Sequence, residues 1–138
     1  MHKVLFVILF FISGLARGQA LVDTKDLYSH CLQKFDSINA SKHIEKVYVH
    51  KNMFSIYFGE QKFKTLLFVD NEKLLPKEVT IYAFSNIKVK KQFLTISLIR
   101  FEVMRKRRAS IWTNNDGIDF VFAQNCNDGT YYLTEVIE

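Results

Sequence analysis

Hydrophobic positions near the start of the chain predict an amphipathic helix. Asp23-Thr24 is typical of a helix start, and after it apolar side chains recur every three to four residues. They are Leu27, Cys31, Leu32, Phe35 and Ile38. We therefore predict a helix over residues 24–38. The pattern breaks over residues 37–42, and residues 43–48 fit a second short helical stretch, whose type the pattern leaves open.

The middle of the chain predicts shorter elements. Residues 53–58 are rich in aromatic and β-branched side chains and precede Gly59, which favours a short strand. Residues 63–71 fit either a strand or a helix. Residues 71–75 predict a short helix that ends ahead of Pro76, because proline disfavours the helical conformation in the residue before it.

The later part of the chain predicts strands. Segments dense in Ile, Val, Phe, Thr and Tyr are typical of sheets, and they cover residues 79–89, 93–104 and 111–124, with a last strand over 130–137. Residues 114–117 read Asn-Asn-Asp-Gly, which predicts a tight hairpin turn because these residue types tolerate positive φ. Asn127-Asp128-Gly129 repeats that signal.

This order of elements predicts an α+β fold, since helices come first and a run of antiparallel strands follows. We expect the helix of residues 24–38 to pack on a strongly curved antiparallel sheet built from residues 79–137. The length of 138 residues favours a single domain.

The first twenty residues have the pattern of a secretory signal peptide. A basic start, Met1-His2-Lys3, precedes nine unbroken apolar residues over 4–12 and a stretch of small residues. Nine apolar residues are too few to cross a hydrocarbon core of about 30 Å, so we expect no transmembrane anchor. Cleavage after Ala20 fits best, with a second possible cut after Ala16. We predict a signal peptide over 1–20, a domain over 21–138, and a secreted, extracellular protein.

Removal of this segment reduces the apparent basicity. The full chain carries 19 basic and 14 acidic side chains, a net charge of +5. Cleavage removes Lys3 and Arg17, which leaves 17 basic against 14 acidic groups and a net charge of +3. With 49% hydrophobic and 24% charged residues, the chain has the balance of a globular domain and not that of a disordered one.

Two cysteines in an oxidising compartment predict one disulfide bond, between Cys31 and Cys126. Two buried or intermolecular thiols are the alternative. The chain has no Cys-x-x-Cys and no paired histidines, so we expect no metal site and no cofactor. Asn39-Ala40-Ser41 is an N-glycosylation sequon, whose use requires Asn39 to lie at the surface.

Short motifs in the same order resemble the nuclear transport factor 2-like fold of small secreted nematode proteins. The matching segments are Val47-Tyr48, Met53-Phe54 with Gly59, and residues 74–79, which read Leu-Leu-Pro-Lys-Glu-Val. The resemblance implies a cone-shaped sheet wrapped around a helix, closing near Cys126, with an apolar pocket. A cystatin-type wrap of a sheet around a helix shares this architecture, but no Gln-x-Val-x-Gly loop for protease inhibition is present.

Enzymes of the resembled fold place an Asp, Tyr or His in the cone, where an apolar wall raises the pKa of an acid. The weak catalytic candidates here are Tyr82, Asp119 and His50. Asp119 alternates with Ile118 and Phe120, so we expect it to face away from them. We expect large rings to fill the cone and leave no space for catalysis: Phe54, Phe84, Phe101, Phe120 and Trp112.

Arg105-Lys106-Arg107-Arg108 is the sharpest charge run. It fits a dibasic processing site or a docking patch for acidic polysaccharide or anionic lipid, with Lys88, Lys90, Lys91 and Arg100 nearby in sequence. A solvated hairpin end, or an edge strand protected by charge, is the structural alternative that we favour.

For function, we expect a non-catalytic secreted binding or interaction domain. Its partner would be an extracellular protein or a small apolar ligand, with an acidic surface as a further possibility. Nucleic acid is a poor partner for an exported protein whose aromatic residues fit a core. The alternative function is that of a small-molecule isomerase or dehydratase with an acid in the cone cavity.

Overall fold

The structure is a computed structural model that describes residues 24–51 and 62–138. These residues form one α-helix, one short 3₁₀ helix and a seven-stranded sheet. The α-helix, α1, spans Thr24–Ser41, and the 3₁₀ helix spans Glu72–Leu74. The strands are β1 (Val47–His50), β2 (Leu66–Val69), β3 (Glu78–Phe84), β4 (Lys88–Lys90), β5 (Phe93–Arg105), β6 (Ser110–Gln124) and β7 (Tyr131–Ile137).

Helix α1 ends three residues later than predicted, in a Schellman-type cap. His43 has a φ of 58°, the left-handed conformation common just after a helix. The Ile44 amide donates to the Asn39 carbonyl at 2.9 Å, which satisfies a carbonyl that the helix end leaves unpaired. The chain then passes into β1, so the predicted helical stretch over 43–48 is wrong.

The sheet is mixed and strongly curled, and it forms a half-barrel. Its strand order is β2-β1-β3-β5-β6-β7, with β4 paired to β5. Strands β3 to β7 pair antiparallel, as predicted for residues 79–137. Strand β1 pairs in parallel with both β2 and β3, which the sequence did not predict. The α+β class is therefore confirmed, and the sheet is wider than expected.

The main core lies between α1 and the concave face of this sheet. Cys31, Leu32 and Phe35 of the helix are fully or almost fully buried. They meet alternate residues of the strands, because side chains i and i+2 of a strand share one face. Those strand residues include Val49, Phe84, Leu94, Ile96, Leu98, Ile118, Phe120 and Phe122. The half-barrel interior is thus filled by the helix.

Two of the rings expected inside the cone lie on the opposite, convex face. Phe84 and Phe120 are buried in the core as predicted, and Phe54 lies outside the described residues. Along β5, Phe101 lies on the face opposite to that of Leu98 and Arg100. Trp112 of β6 pairs with Val103, which lies on the same convex face as Phe101. Phe101 and Trp112 therefore pack on each other, with ring centroids 5.5 Å apart, away from α1.

The predicted hairpin turn over residues 114–117 is wrong, because these residues lie within β6. A bulge there places Gly117 opposite Ile99 and Asn114 opposite Phe101, which gives β6 one extra residue and bends the strand. A Cβ on Gly117 would lie 2.6 Å from the Leu98 carbonyl oxygen. Gly117 is thus required for close approach of two strands, and not for a turn.

The remaining predicted elements agree in part with the structure. The turn at residues 127–129 is confirmed, and Gly129 has a φ of 72°. Residues 71–75 contain the 3₁₀ helix, and 63–71 contain β2. The long strand predicted over 79–89 is divided into β3 and β4. The strand predicted over 53–58 lies outside the described residues.

Candidate functional site

The basic run forms the tip of the long β5–β6 hairpin. Arg105 is the last residue of β5, and the Lys106 amide donates to the Ala109 carbonyl at 2.8 Å to close the connection. Arg107 and Arg108 are exposed at this tip. The prediction of a hairpin end is confirmed for these residues.

Two lysines from elsewhere in the sequence join this tip. Lys73 belongs to the 3₁₀ helix and Lys77 precedes β3. Because β3 pairs antiparallel with β5, Lys77 comes opposite the end of β5, and the Arg105 amide donates to the Lys77 carbonyl at 2.7 Å. The Arg105 guanidinium donates to the Lys73 carbonyl. The sequence did not predict that these two lysines lie beside the basic run, because only the register of β3 on β5 brings them here.

Between these segments lies a groove of about 820 Å³, which we call the hairpin groove. Eight residues line it, of which six are basic and none is acidic: Lys73, Lys77, Arg105, Lys106, Arg107, Arg108, Ala109 and Ser110. None of the six cations forms an ion pair with a described residue. At physiological ionic strength, charges within about 8 Å reinforce one another, so the groove attracts anions.

Arg105 differs from its neighbours because it is anchored. Its backbone and its guanidinium both bond to the 73–77 segment, and its Nε is buried without a hydrogen-bond partner among the described residues. Lys106, Arg107 and Arg108 are exposed and carry no such contacts in the described part of the chain. Arg105 therefore fixes the groove wall, and the other three present their charges to solvent.

A second cavity, of about 150 Å³, lies where α1 ends against the sheet. We call it the helix-end cavity. Its wall includes Phe35 and Asn39 of α1, Tyr82 of β3, Arg100 of β5 and Asp116 of β6. The Arg100 guanidinium approaches the carboxylates of Asp116 at 3.7 Å and of Glu102 at 3.6 Å. Lys42 and Glu138 form an ion pair at the rim.

Tyr82 is the one catalytic candidate that lines this cavity. Its ring packs on Phe35 with centroids 4.8 Å apart. Burial raises the pKa of its phenol, and the nearby Arg100 charge opposes that increase. Tyr82 is therefore a neutral hydroxyl at physiological pH, able to donate and accept a hydrogen bond.

The other two catalytic candidates lie elsewhere. Asp119 pairs with Ser97 across β6 and β5, on the face opposite Ile118 and Phe120, which are buried. Its predicted orientation is confirmed. His50 lies on the convex side, where its ring meets Trp112 at 5.6 Å. Neither residue lies beside Tyr82, so the structure does not bring the three weak candidates together.

Asn39 is buried, with 4% of its surface exposed. Its Nδ2 has no hydrogen-bond partner among the described residues, a state that costs about 1–3 kcal/mol for a buried donor. The same nitrogen would carry an N-linked glycan. The surface location that the sequon requires is therefore not met in the folded chain.

Both cysteines are free thiols, so the predicted Cys31–Cys126 disulfide is not present in the structure. Cys31 is fully buried on the inner face of α1, whereas Cys126 is exposed in the turn after β6. Burial raises the pKa of the Cys31 thiol, which keeps it protonated and unreactive.

Two further features bear on function. Within residues 24–51 and 62–138, no group of three or more His, Cys, Asp or Glu side chains could hold a metal ion. Among the same residues, α1 and the 3₁₀ helix are too short or too polar to span a bilayer.

Comparisons with protein-family models, with curated proteins and with solved structures give no match for this chain.

Proposed function

We propose that this protein is a secreted, non-catalytic binding domain that engages an acidic polysaccharide through the hairpin groove. One observation carries the proposal: six basic side chains from two distant segments line one groove, and no acid lines it. Gathering like charges costs free energy through mutual repulsion. An anionic partner removes that cost, and a multivalent one meets several cations at once.

The shape of the groove favours a chain-like anion. The cations lie on two walls, the hairpin tip and the 73–77 segment, so a linear polyanion between them contacts both. Counterions that accompany such a polymer are released on binding, which adds to affinity at moderate salt.

The alternative enzymatic function has less support. Tyr82 lines the helix-end cavity, but Asp119 and His50 lie on the other side of the sheet. An isomerase or dehydratase needs a base and an acid within hydrogen-bond reach of one substrate. The core of aromatic and aliphatic side chains under α1 also supports packing over catalysis.

The proposal also covers the fold family of the domain and the export of the protein. A helix on a curled sheet, with a short helical turn before Pro76, supports a fold of the nuclear transport factor 2-like or cystatin-like kind.

The basic start, the apolar run and Gly18-x-Ala20 support export with Leu21 as the first mature residue. Mass spectrometry of the secreted form tests this: a retained Met1 in the medium would contradict it.

The hairpin groove is tested by a matched pair of triple variants. The first changes Lys106, Arg107 and Arg108 to Ser, and the second changes Lys88, Lys90 and Lys91 to Ser. Both remove three exposed positive charges, so their net charges are equal. The second set lies at the β4–β5 turn, near the opposite end of the thirteen-residue β5 and about 40 Å away along the strand.

We expect the tip variant to bind heparin, used as a sulfated polysaccharide probe, at least tenfold more weakly than the unmodified chain. The β4–β5 variant should bind within about twofold, because its lysines lie outside the groove. Equal losses in both variants would show that only net charge matters, and the proposed site would then be wrong. Unaltered circular dichroism confirms that both variants fold.

A further inference from the structure

A further groove lies on the convex face of the sheet, beside the bulge in β6. Its volume is about 700 Å³, and we call it the bulge groove. Polar side chains line most of it, and Ile99 and Ile137 supply its apolar surface. It shares no lining residue with the hairpin groove.

The strand register gathers four residues of this groove around one point. Ser97 lies opposite Asp119 across β5 and β6, and Ile99 lies opposite Gly117. Directly opposed Cβ atoms of an antiparallel pair are about 4.5–5.5 Å apart. Residues two apart in a strand share a face and are about 7 Å apart. Because Gly117 has no side chain, the other three border a depression above it.

Ser97 is the observation that points to a ligand. Only 6% of this residue is exposed, and its hydroxyl forms no hydrogen bond with a described residue. Most buried polar side-chain atoms have a partner. Within the described part of the chain, only the Asn39 Nδ2 and the Arg105 Nε are both unpaired and sealed from solvent. The Ser97 oxygen is therefore within reach of a ligand in the groove.

Asp119 places a negative charge beside that hydroxyl. The residue is half-buried, and its carboxylate forms no ion pair with the described residues. The other two acids of the groove, Asp116 and Glu138, each pair with a base. Lys88 is the one base of the lining and does not pair with Asp119. A cation that enters the groove therefore meets an uncompensated carboxylate.

The lining also indicates which kind of cation fits. A primary ammonium carries three N–H donors, and the Asp119 carboxylate and the Ser97 hydroxyl can both accept from it. Ile137 pairs with Asp119 on the side away from Ser97 and is 48% exposed, so it offers apolar surface to an alkyl chain. No described aromatic residue lines the groove, whereas quaternary ammonium ions are recognised by aromatic cages.

We propose that the bulge groove binds a small primary alkylamine in its ammonium form. The ammonium lies above Gly117 and donates to the Asp119 carboxylate and to the Ser97 hydroxyl. The alkyl chain packs on Ile99 and Ile137. This site is separate from the polysaccharide site, so either proposal can fail without the other.

The test is an NMR titration at constant ionic strength with three probes that share a butyl chain. They are n-butylammonium, butyltrimethylammonium, which keeps the charge without N–H donors, and n-butanol, which is uncharged. With n-butylammonium we expect saturable shifts of the Asp119 backbone amide and of the Ile99 and Ile137 methyl groups. The other two probes should bind about fivefold more weakly or worse, because they lack charge-assisted hydrogen bonds. Equal binding of all three, or no saturation with n-butylammonium, would overturn the proposal.

Two variants assign the accepting groups. Asp119→Asn keeps the shape and removes the charge, and Ser97→Ala removes only a hydroxyl. We expect n-butylammonium to bind about tenfold more weakly to the first and about threefold more weakly to the second, in line with charged and neutral hydrogen bonds. Urea unfolding confirms that both variants fold.

Glu45→Gln is the matched control for Asp119→Asn. It removes one negative charge from an exposed residue outside the groove, so affinity should be unchanged. Equal losses in the two variants would show that only net charge matters and would overturn the site. Unaltered affinity in Asp119→Asn would overturn it as well.

Discussion

Gly117 shows how one missing Cβ shapes the sheet. A Cβ there would lie 2.6 Å from the Leu98 carbonyl oxygen and 3.0 Å from the Ile99 Cα, both backbone atoms that cannot move aside freely. We predict that Gly117→Ala destabilises the fold by about 1–3 kcal/mol, the usual range for overpacking. Urea unfolding measures the change.

Gly129→Ala is the matched control for that substitution. Gly129 has a φ of 72°, but a Cβ added there would have no neighbour within 4 Å, so alanine there meets backbone strain of about 1 kcal/mol and no clash. If Gly117→Ala cost no more than Gly129→Ala, the close approach of β5 and β6 would be refuted.

The two cysteines differ in exposure, and their reactivity should follow. We predict that a thiol reagent labels Cys126 in the native protein and labels Cys31 only after unfolding, since Cys31 is fully buried and its pKa is raised. Mass spectrometry of labelled peptides decides the matter. A native protein that takes up no label at all would contradict the free thiols and favour a disulfide.

At the scale of elements, Asp36 links α1 to the segment before β2. Its carboxylate accepts hydrogen bonds from the Lys64 amide at 3.0 Å, the Thr65 amide at 2.7 Å and the Thr65 hydroxyl at 2.6 Å. Burial alone would raise the pKa of Asp36, but these bonds outweigh it and the pKa lies below its ordinary value. The carboxylate therefore stabilises the folded state.

We predict that Asp36→Asn costs about 1 kcal/mol at pH 7, because a partly exposed carboxylate loses charge-assisted hydrogen bonds. A lowered folded-state pKa gives stability that is present above the unfolded value of about 3.9 and is lost as pH falls through the folded value. The difference between the variant and the unmodified chain should thus shrink by pH 3. Urea midpoints at both pH values test this, and a constant difference would refute it.

The elements whose pattern is local were predictable from the sequence. The spacing of Leu27, Cys31 and Phe35 gave the buried face of α1, and the turn at Asn127-Asp128-Gly129 formed as its residues indicate. The hairpin turn predicted over residues 114–117 was wrong, because the turn preference of these residues is overridden by the pairing of β6 along the whole of β5. The predicted placement of Phe101 and Trp112 inside the cone was wrong. The size and aromaticity of a side chain do not specify a face of the sheet, whereas strand register does.

The candidate sites depended still more on register. Arg105–Arg108 were visible as a run, but Lys73 and Lys77 join them only through the pairing of β3 with β5. Arg100 and Asp116 meet because of the bulge in β6. The sequence alone contains no local signal for these long-range contacts, so it predicted part of one site and one residue of the other.

For the whole molecule, charge distribution matters more than total charge. The chain carries a net charge of only +5, yet six cations line the hairpin groove. Acids are placed elsewhere, as at Asp116 and Glu138 beside the helix-end cavity. The hairpin tip is therefore a local concentration of positive charge at the end of β5.

The salt dependence of heparin binding tests this account most directly. Each cation that neutralises a polyanion lowers the slope of log K against log salt by about 0.7–0.9. Relative to the unmodified chain, the variant with Ser at 106, 107 and 108 should show a slope that is shallower by roughly two to three. The variant with Ser at 88, 90 and 91 should retain the original slope. Equal slopes in the unmodified chain and the tip variant would contradict the hairpin groove as the binding site.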